Sequence, residues 1–249
     1  VVLSGADGRD LGRRAVPPLT KRVRTVGRRV LVWDGDAKPC TLALFDPWAQ
    51  QNDWQRAFEG GSQIWPVDSR EIAVLEPKGK LHVVSVADGG VAIEAAVDPL
   101  KTCDGIVVRR TGFRYLLLTN SRPPEPNPFG DWVPPGNVHV GGWAYAFDAR
   151  SGRKLWSLEI PNQWLNVFQP TDLPALLLFR RYMKAEALPN GGFKQEPPES
   201  QMFCFDVRSG KIIHQDSTQG HEDQFELTVD RAAKRIEYHT NFQSLKLNF

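Results

Sequence analysis

Tyr145–Trp156 reads Y-A-F-D-A-R-S-G-R-K-L-W, and Phe203–His214 reads F-C-F-D-V-R-S-G-K-I-I-H. In both stretches an apolar strand ends on an Asp, a Ser-Gly corner follows, and a second strand opens on a basic residue. Trp156 lies eight positions after Asp148, and His214 eight after Asp206. A third copy, Leu42–Trp54, places Trp54 eight positions after Asp46 but has no glycine at its corner. A fourth, Val83–Ile93, carries Ser85 at the Asp position and Asp88-Gly89 at the corner. The anchors 46, 85, 148 and 206 are 39, 63 and 58 residues apart. Recurrence every roughly 40 to 50 residues marks propeller blades, and the two longer intervals leave room for loops.

Each copy reads physically as a β-hairpin. Leu81–Val86 alternates apolar and polar residues, as a strand with one covered face requires. Gly152 and Gly210 supply the positive φ that a tight corner needs. Asp46, Asp148 and Asp206 are placed to accept main-chain N–H bonds and pin the corner. Trp54 and Trp156 open or continue the outer strand and can bury a large area against a neighbouring blade.

Further strands are predicted at 29–33, 72–76, 105–109, 115–120, 175–182, 225–230, 235–240 and 243–248, with no helical period longer than about two turns. The expected class is all-β: a propeller of four-stranded antiparallel blades. A basic linker occupies residues 1–20 and the blades occupy 21–249, segmented as 21–58, 64–97, 103–160, 164–217 and an incomplete 225–249.

The segments A-F-D-A-R-S-G-R-K-L-W and C-F-D-V-R-S-G-K-I-I-H resemble the repeat of the pyrroloquinoline-quinone-like, or quinoprotein alcohol-dehydrogenase-like, β-propellers, approximately A-x-D-x-x-T-G-x-x-x-W. The resemblance implies a ring of seven or eight blades. By that measure the chain is about five blades, a C-terminal portion whose ring is completed upstream, and an open arc would expose sheet edges. Expressed alone, such a piece is expected to aggregate or to sit against another chain. The resemblance also implies a bacterial-type, exported (periplasmic) setting. Quinoprotein dehydrogenases hold their quinone between a Trp and a disulfide of adjacent cysteines, with Ca²⁺ and an Asp base. Cys40, Cys103 and Cys204 are far apart, so no cofactor is expected here. Many such propellers are scaffolds. The leading expectation is therefore a non-catalytic platform for protein–protein contacts, the partner being another protein or the remaining blades. The alternative is part of a quinoprotein-like oxidoreductase, or of a sugar-binding or hydrolytic propeller, whose site residues lie in missing upstream blades.

Composition sets the outer bounds. The 249 residues are 41% hydrophobic and 24% charged, as in an ordinary globular domain. A net charge of +2 argues against a nucleic-acid binder. The longest apolar run, 173–179, is far short of the roughly 18 residues a spanning helix needs. Eight of the basic residues fall within 1–29 against two acidic ones, which suggests an acidic partner or a solvated linker. With no C-x-x-C, the three cysteines read as reduced thiols, one bridge plus a free thiol remaining open.

Candidate sites are few. His214, Asp216, His221, Glu222 and Asp223 have metal-ligand chemistry, but their spacing matches no mechanism-bearing motif. Asp34-Gly35-Asp36 is a weaker candidate for Ca²⁺. No G-x-S-x-G elbow or H-E-x-x-H is present. Asp104, Asp131 and Glu159 read as scattered loop and strand-end acids. The Pro-rich stretch 122–136 carries Phe129 and Trp132, either presented to a partner or folded back as a cap. The polar stretch 184–200 reads as a surface excursion.

Overall fold

The computed structural model describes residues 2–17, 21–122, 135–182, 185–188, 193–195, 199–219, 225–240 and 244–248. The fold is all-β, and every regular element among the described residues is a strand. Two of the sheets are four-stranded, antiparallel and in chain order, as in propeller blades. The chain divides into two compact units, Val1–Arg110 with Phe147–Lys154, and Thr111–Ala146 with Leu155–Phe249.

The first unit begins with a small hairpin, β1 (Val2–Leu3) and β2 (Asp10–Gly12). Then β3 (Lys21–Val26), β4 (Arg29–Asp34), β5 (Cys40–Asp46) and β6 (Gln51–Phe58) make an antiparallel sheet in chain order. The next sheet has the same order in β7 (Gln63–Pro66), β8 (Glu71–Leu75), β9 (Lys80–Ser85) and β10 (Val91–Ala96). Leu31, Leu42, Leu44 and Phe58 of the first sheet pack with Ile72, Val74 and Val84 of the second. β8 is buried at every position, and β9 from Leu81 to Val84. The alternation in Leu81–Val86 implied one wet face, but both faces are covered, and His82 packs edge-on against Phe58 at 5.4 Å.

Next come β11 (Gly105–Thr111), β12 (Arg114–Asn120), β13 (Asn137–Asp148), β14 (Lys154–Asn166) and β15 (Ala175–Tyr182). After the small hairpin β16 (Ala185–Ala187) and β17 (Phe193–Gln195) follow β18 (Glu199–Asp206) and β19 (Ile212–Gln219). In the second unit the neighbour order is β12-β13-β14-β15-β18-β19. This corrects the segmentation at 160–164. β14 runs without a break from its pairing with β13 to its pairing with β15, where Trp164 faces Phe179. The excursion 184–200 likewise holds hairpin β16–β17 and the start of β18.

A three-stranded sheet, β20 (Phe225–Asp230), β21 (Arg235–Thr240) and β22 (Ser244–Asn248), ends the chain. Its Ile236 and Tyr238, with Leu227 and Leu247, pack on Leu177, Met202 and Cys204.

Candidate functional site

The repeated hairpin corners are the most regular chemistry in the chain. Asp148 Oδ1 accepts from the main-chain N–H groups of Arg150 (3.1 Å) and Ser151 (2.9 Å) and from the Ser151 hydroxyl (2.8 Å). Asp206 repeats the set with Arg208 (2.9 Å), Ser209 (2.7 Å) and the Ser209 hydroxyl (2.8 Å). In the second sheet the pair is reversed. Ser85 takes the first position, and Asp88 accepts from Gly90 N–H at 3.0 Å. The Ser151 N–H and hydroxyl, then Arg150 N–H, hold the Asp148 carboxyl below the usual range. Gly90 N–H and the Ser85 hydroxyl do the same for Asp88. At Asp46 burial pushes upward, but the Trp48 and Ala49 N–H groups and Arg28, at 2.9 Å, prevail and the carboxyl is lowered.

The fourth residue after each anchor is left-handed: Gly89 (φ 71°), Gly152 (φ 70°) and Gly210 (φ 71°). In the first sheet Gln50 holds this conformation at φ 54°. Its amide compensates by donating to Pro47 O at 2.6 Å and Ala15 O at 3.2 Å.

These corners dock on tryptophans. A Cβ on Gly89 would lie 2.7 Å from Trp54 Cδ2, and one on Gly210 would lie 2.7 Å from Trp156 Cδ2. Trp54 also donates its Nε1–H to Val86 O at 3.1 Å, and Arg56 donates to Gly89 O at 2.6 Å. Trp156 meets Phe205 edge-on at 5.9 Å. Gly152 sits against main chain instead, 2.0 Å from Cβ to Glu94 O. A β-bulge precedes the docking position. Leu44 faces Trp54 while Phe45 faces Asn52, and Cys204 faces His214 while Phe205 faces Ile212. Asp53 and Ile213 are the extra residues, and the bulge re-aims the side chain that follows. Nothing in the residue types marks this bulge; only the spacing does.

The other candidates fall as follows. His214 stands at the docking position on β19, and Asp216, two residues on, is exposed and accepts from Ser217 N–H at 2.8 Å. His221, Glu222 and Asp223 lie outside the described residues, as do Phe129, Trp132 and Asp131. Among the described residues no three His, Cys, Asp or Glu groups converge as metal ligands. Asp34 accepts from Ala37 N–H at 3.1 Å, a loop turn. Glu159 pairs with Arg122. All three cysteines are free thiols, and burial, then Asp206, pushes Cys204 up to about 12.

The basic arm is partly engaged by its own unit. Arg14 lies 4.2 Å over the Trp48 ring, Arg29 pairs with Asp53, and Arg24 donates to Asp68 O. The segment expected as a linker therefore holds hairpin β1–β2 and a contact along the first sheet. His82, in the first unit, is pushed down by burial, which outweighs Glu76 and Glu94 at 3.6 and 3.4 Å. The apolar residues left most exposed include Phe168 (80%), Phe113 (75%), Ile212 (49%) and Ile213 (45%).

No family model matches the chain, and no curated protein matches it. Among solved structures it is similar to the WD40 domain of Toxoplasma gondii coronin, with 13% identity, TM-score 0.42, and coverage of 91% of this chain and 54% of that one. It is similar to quinohemoprotein alcohol dehydrogenase from Comamonas testosteroni, with 12% identity, TM-score 0.41, and coverage of 87% and 39%. It is similar to the Neurospora crassa Pan2 WD40 domain, with 11% identity, TM-score 0.41, and coverage of 86% and 59%. The chain thus spans less than two thirds of each of these three.

Proposed function

We propose that this chain is a PQQ-like-repeat propeller scaffold that presents a rigid β surface to a protein partner. The observation that carries the reading is the interlock of corner and tryptophan. Gly89 against Trp54 and Gly210 against Trp156 have the same 2.7 Å approach to the same ring atom. Such docking fixes a hairpin corner against a tryptophan of the preceding four-stranded set and leaves the loops free to vary, which is what a binding platform needs. The repeat carboxylates serve main-chain N–H groups, a structural duty. Partner contact is assigned to the exposed apolar residues, Phe168 and Ile213 among those described, and to Phe129 and Trp132 on the Pro-rich stretch. The basic arm is assigned to an acidic patch of a partner, and the setting to a bacterial, exported one.

Cross-linking mass spectrometry on the chain in its native extract tests this. Two variants, Phe129→Ala with Trp132→Ala and Phe168→Ser with Ile213→Ser, are compared with wild type. Loss of one specific partner's cross-links at unchanged melting temperature is the expected result. Cross-links that survive both variants would refute the scaffold assignment.

A further inference from the structure

Within the second unit, one face of the β14-β15-β18-β19 sheet carries an open cleft of about 610 Å³. Its lining includes Gln163, Gln201, Gln215 and Ser217 around a buried Phe203. The register explains the convergence: Gln201 faces Ser217 and Phe203 faces Gln215, so side chains at these positions share a sheet face. Gln163 donates its Nε2–H to Gln201 Oε1 at 3.3 Å, and Gln201 donates onward to Glu199 Oε1 at 3.3 Å. Gln163 is 1% exposed, and its Oε1 has no hydrogen-bond partner among the described residues. The buried Gln163 amide thus anchors Gln201 at the floor of the cleft.

Chemistry narrows the ligand. No Lys or Arg lines the cleft, and Arg180, which faces Gln201 in register, is only 3% exposed, so an anion finds no accessible counter-charge; the alternation that groups Gln215 with Ser217 turns Asp216 between them to the other face, so no carboxylate makes a cation site. An extended peptide would need ladder groups or apolar side-chain pockets. The main chain of Gln201–Phe203 is already paired on both sides and Phe203 is only 3% exposed, so the floor of the cleft offers neither; a strand could add only along the outer edge of β19, at the end of the described sheet and away from Gln163 and Gln201. What the lining does offer is side-chain donors and acceptors on Gln201, Gln215 and Ser217, with a volume in the range of small-ligand sites. We propose that this cleft binds a neutral polyhydroxylated ligand, an oligosaccharide segment, whose hydroxyls bond to Gln215, Ser217 and Gln201, the last held in place by Gln163. The assignment does not depend on the scaffold reading.

The test is saturation-transfer NMR on the full chain with maltotriose, chitotriose and a galactose-based trisaccharide, and with a Gly-Ser hexapeptide as comparison. Gln215→Ala and Ser217→Ala remove exposed side chains, so melting should not change. At least one trisaccharide should show saturable transfer, weakened about five- to tenfold by each variant as one hydrogen bond is lost. No saturable transfer from any of the three sugars, transfer indifferent to both variants, or equal transfer to the peptide would each overturn the proposal.

Discussion

Gly210→Ala measures the corner–tryptophan interlock directly. The substitution places an Ala at φ 71°, a left-handed conformation costing an L-residue about 1–2 kcal/mol. The new Cβ would lie 2.7 Å from Trp156 Cδ2 and 2.8 Å from Cε3, so ring or corner must retreat. Overpacking of this kind costs about 1–3 kcal/mol. The expected total is about 2–5 kcal/mol, or a melting shift near 6–15 °C at about 3 °C per kcal/mol for a unit of this size. Two comparisons separate the components. Gly112→Ala, at φ 55° with nothing within 4 Å, meets only the backbone penalty. Gly210→Ala in a Trp156→Ala background loses the clash and should also fall to about 1–2 kcal/mol. Urea unfolding of the four proteins in the Gly210/Trp156 cycle gives the coupling, expected at about 1–3 kcal/mol. If Gly210→Ala costs the same with and without the Trp156 ring, to within about 0.5 kcal/mol, the docking argument is wrong.

Gly152→Ala should be worse than either, because its Cβ would meet Glu94 O, a main-chain atom that cannot rotate away, 2.0 Å off; the lowest melting temperature of the glycine series should be its own. The His82 pKa is depressed in the folded state, so the unfolded chain takes up the proton first and stability falls as pH drops below about 6.5. The urea midpoint should therefore decline between pH 7.5 and 5.5, and His82→Gln should flatten that part of the curve. Cys204, pushed up to about 12 and fully buried, should resist iodoacetamide at pH 8 until urea unfolds the chain, whereas half-buried Cys103 reacts first; tryptic mass spectrometry reads the order. Gln50→Ala keeps the left-handed corner at φ 54° but removes the amide bonds to Pro47 O and Ala15 O, so protease cleavage in the first 17 residues should quicken.

The blade-type fold was legible because its determinants are local. An Asp that accepts three bonds within its own corner, and a glycine four residues on, need only a short window, and Asp148–Gly152 and Asp206–Gly210 state both. The Ser85/Asp88 corner was readable only as a weak copy, because sequence comparison is blind to a hydroxyl–carboxylate pair that works in either order. Two features were hidden for different reasons. A blade boundary expected at 160–164 falls inside strand β14, because one extended strand changes neighbour there without a turn to separate the two sets. The bulges at Asp53 and Ile213 are written only in a spacing of eight, since any residue can occupy the unpaired position.

The amide cleft was illegible for a deeper reason. Gln163, Gln201 and Gln215 are separated by 38 and 14 residues, and each alone is an ordinary polar residue in a strand. Their convergence depends on register, Gln201 opposite Ser217 and Trp164 opposite Phe179, which long-range pairing sets. In a repeat fold, what is local recurs and announces itself, while what binds is non-repeating and assembled across strands. Trp156 and Gly210 have counterparts in Trp54 and Gly89, and their duty is to dock each corner on the preceding set of strands. Gln201 stands five positions before its anchor Asp206, where the preceding copy has Trp143 before Asp148. A departure from the repeat, at a half-buried position open to a cleft, is where a specific ligand would leave its mark on an otherwise periodic scaffold.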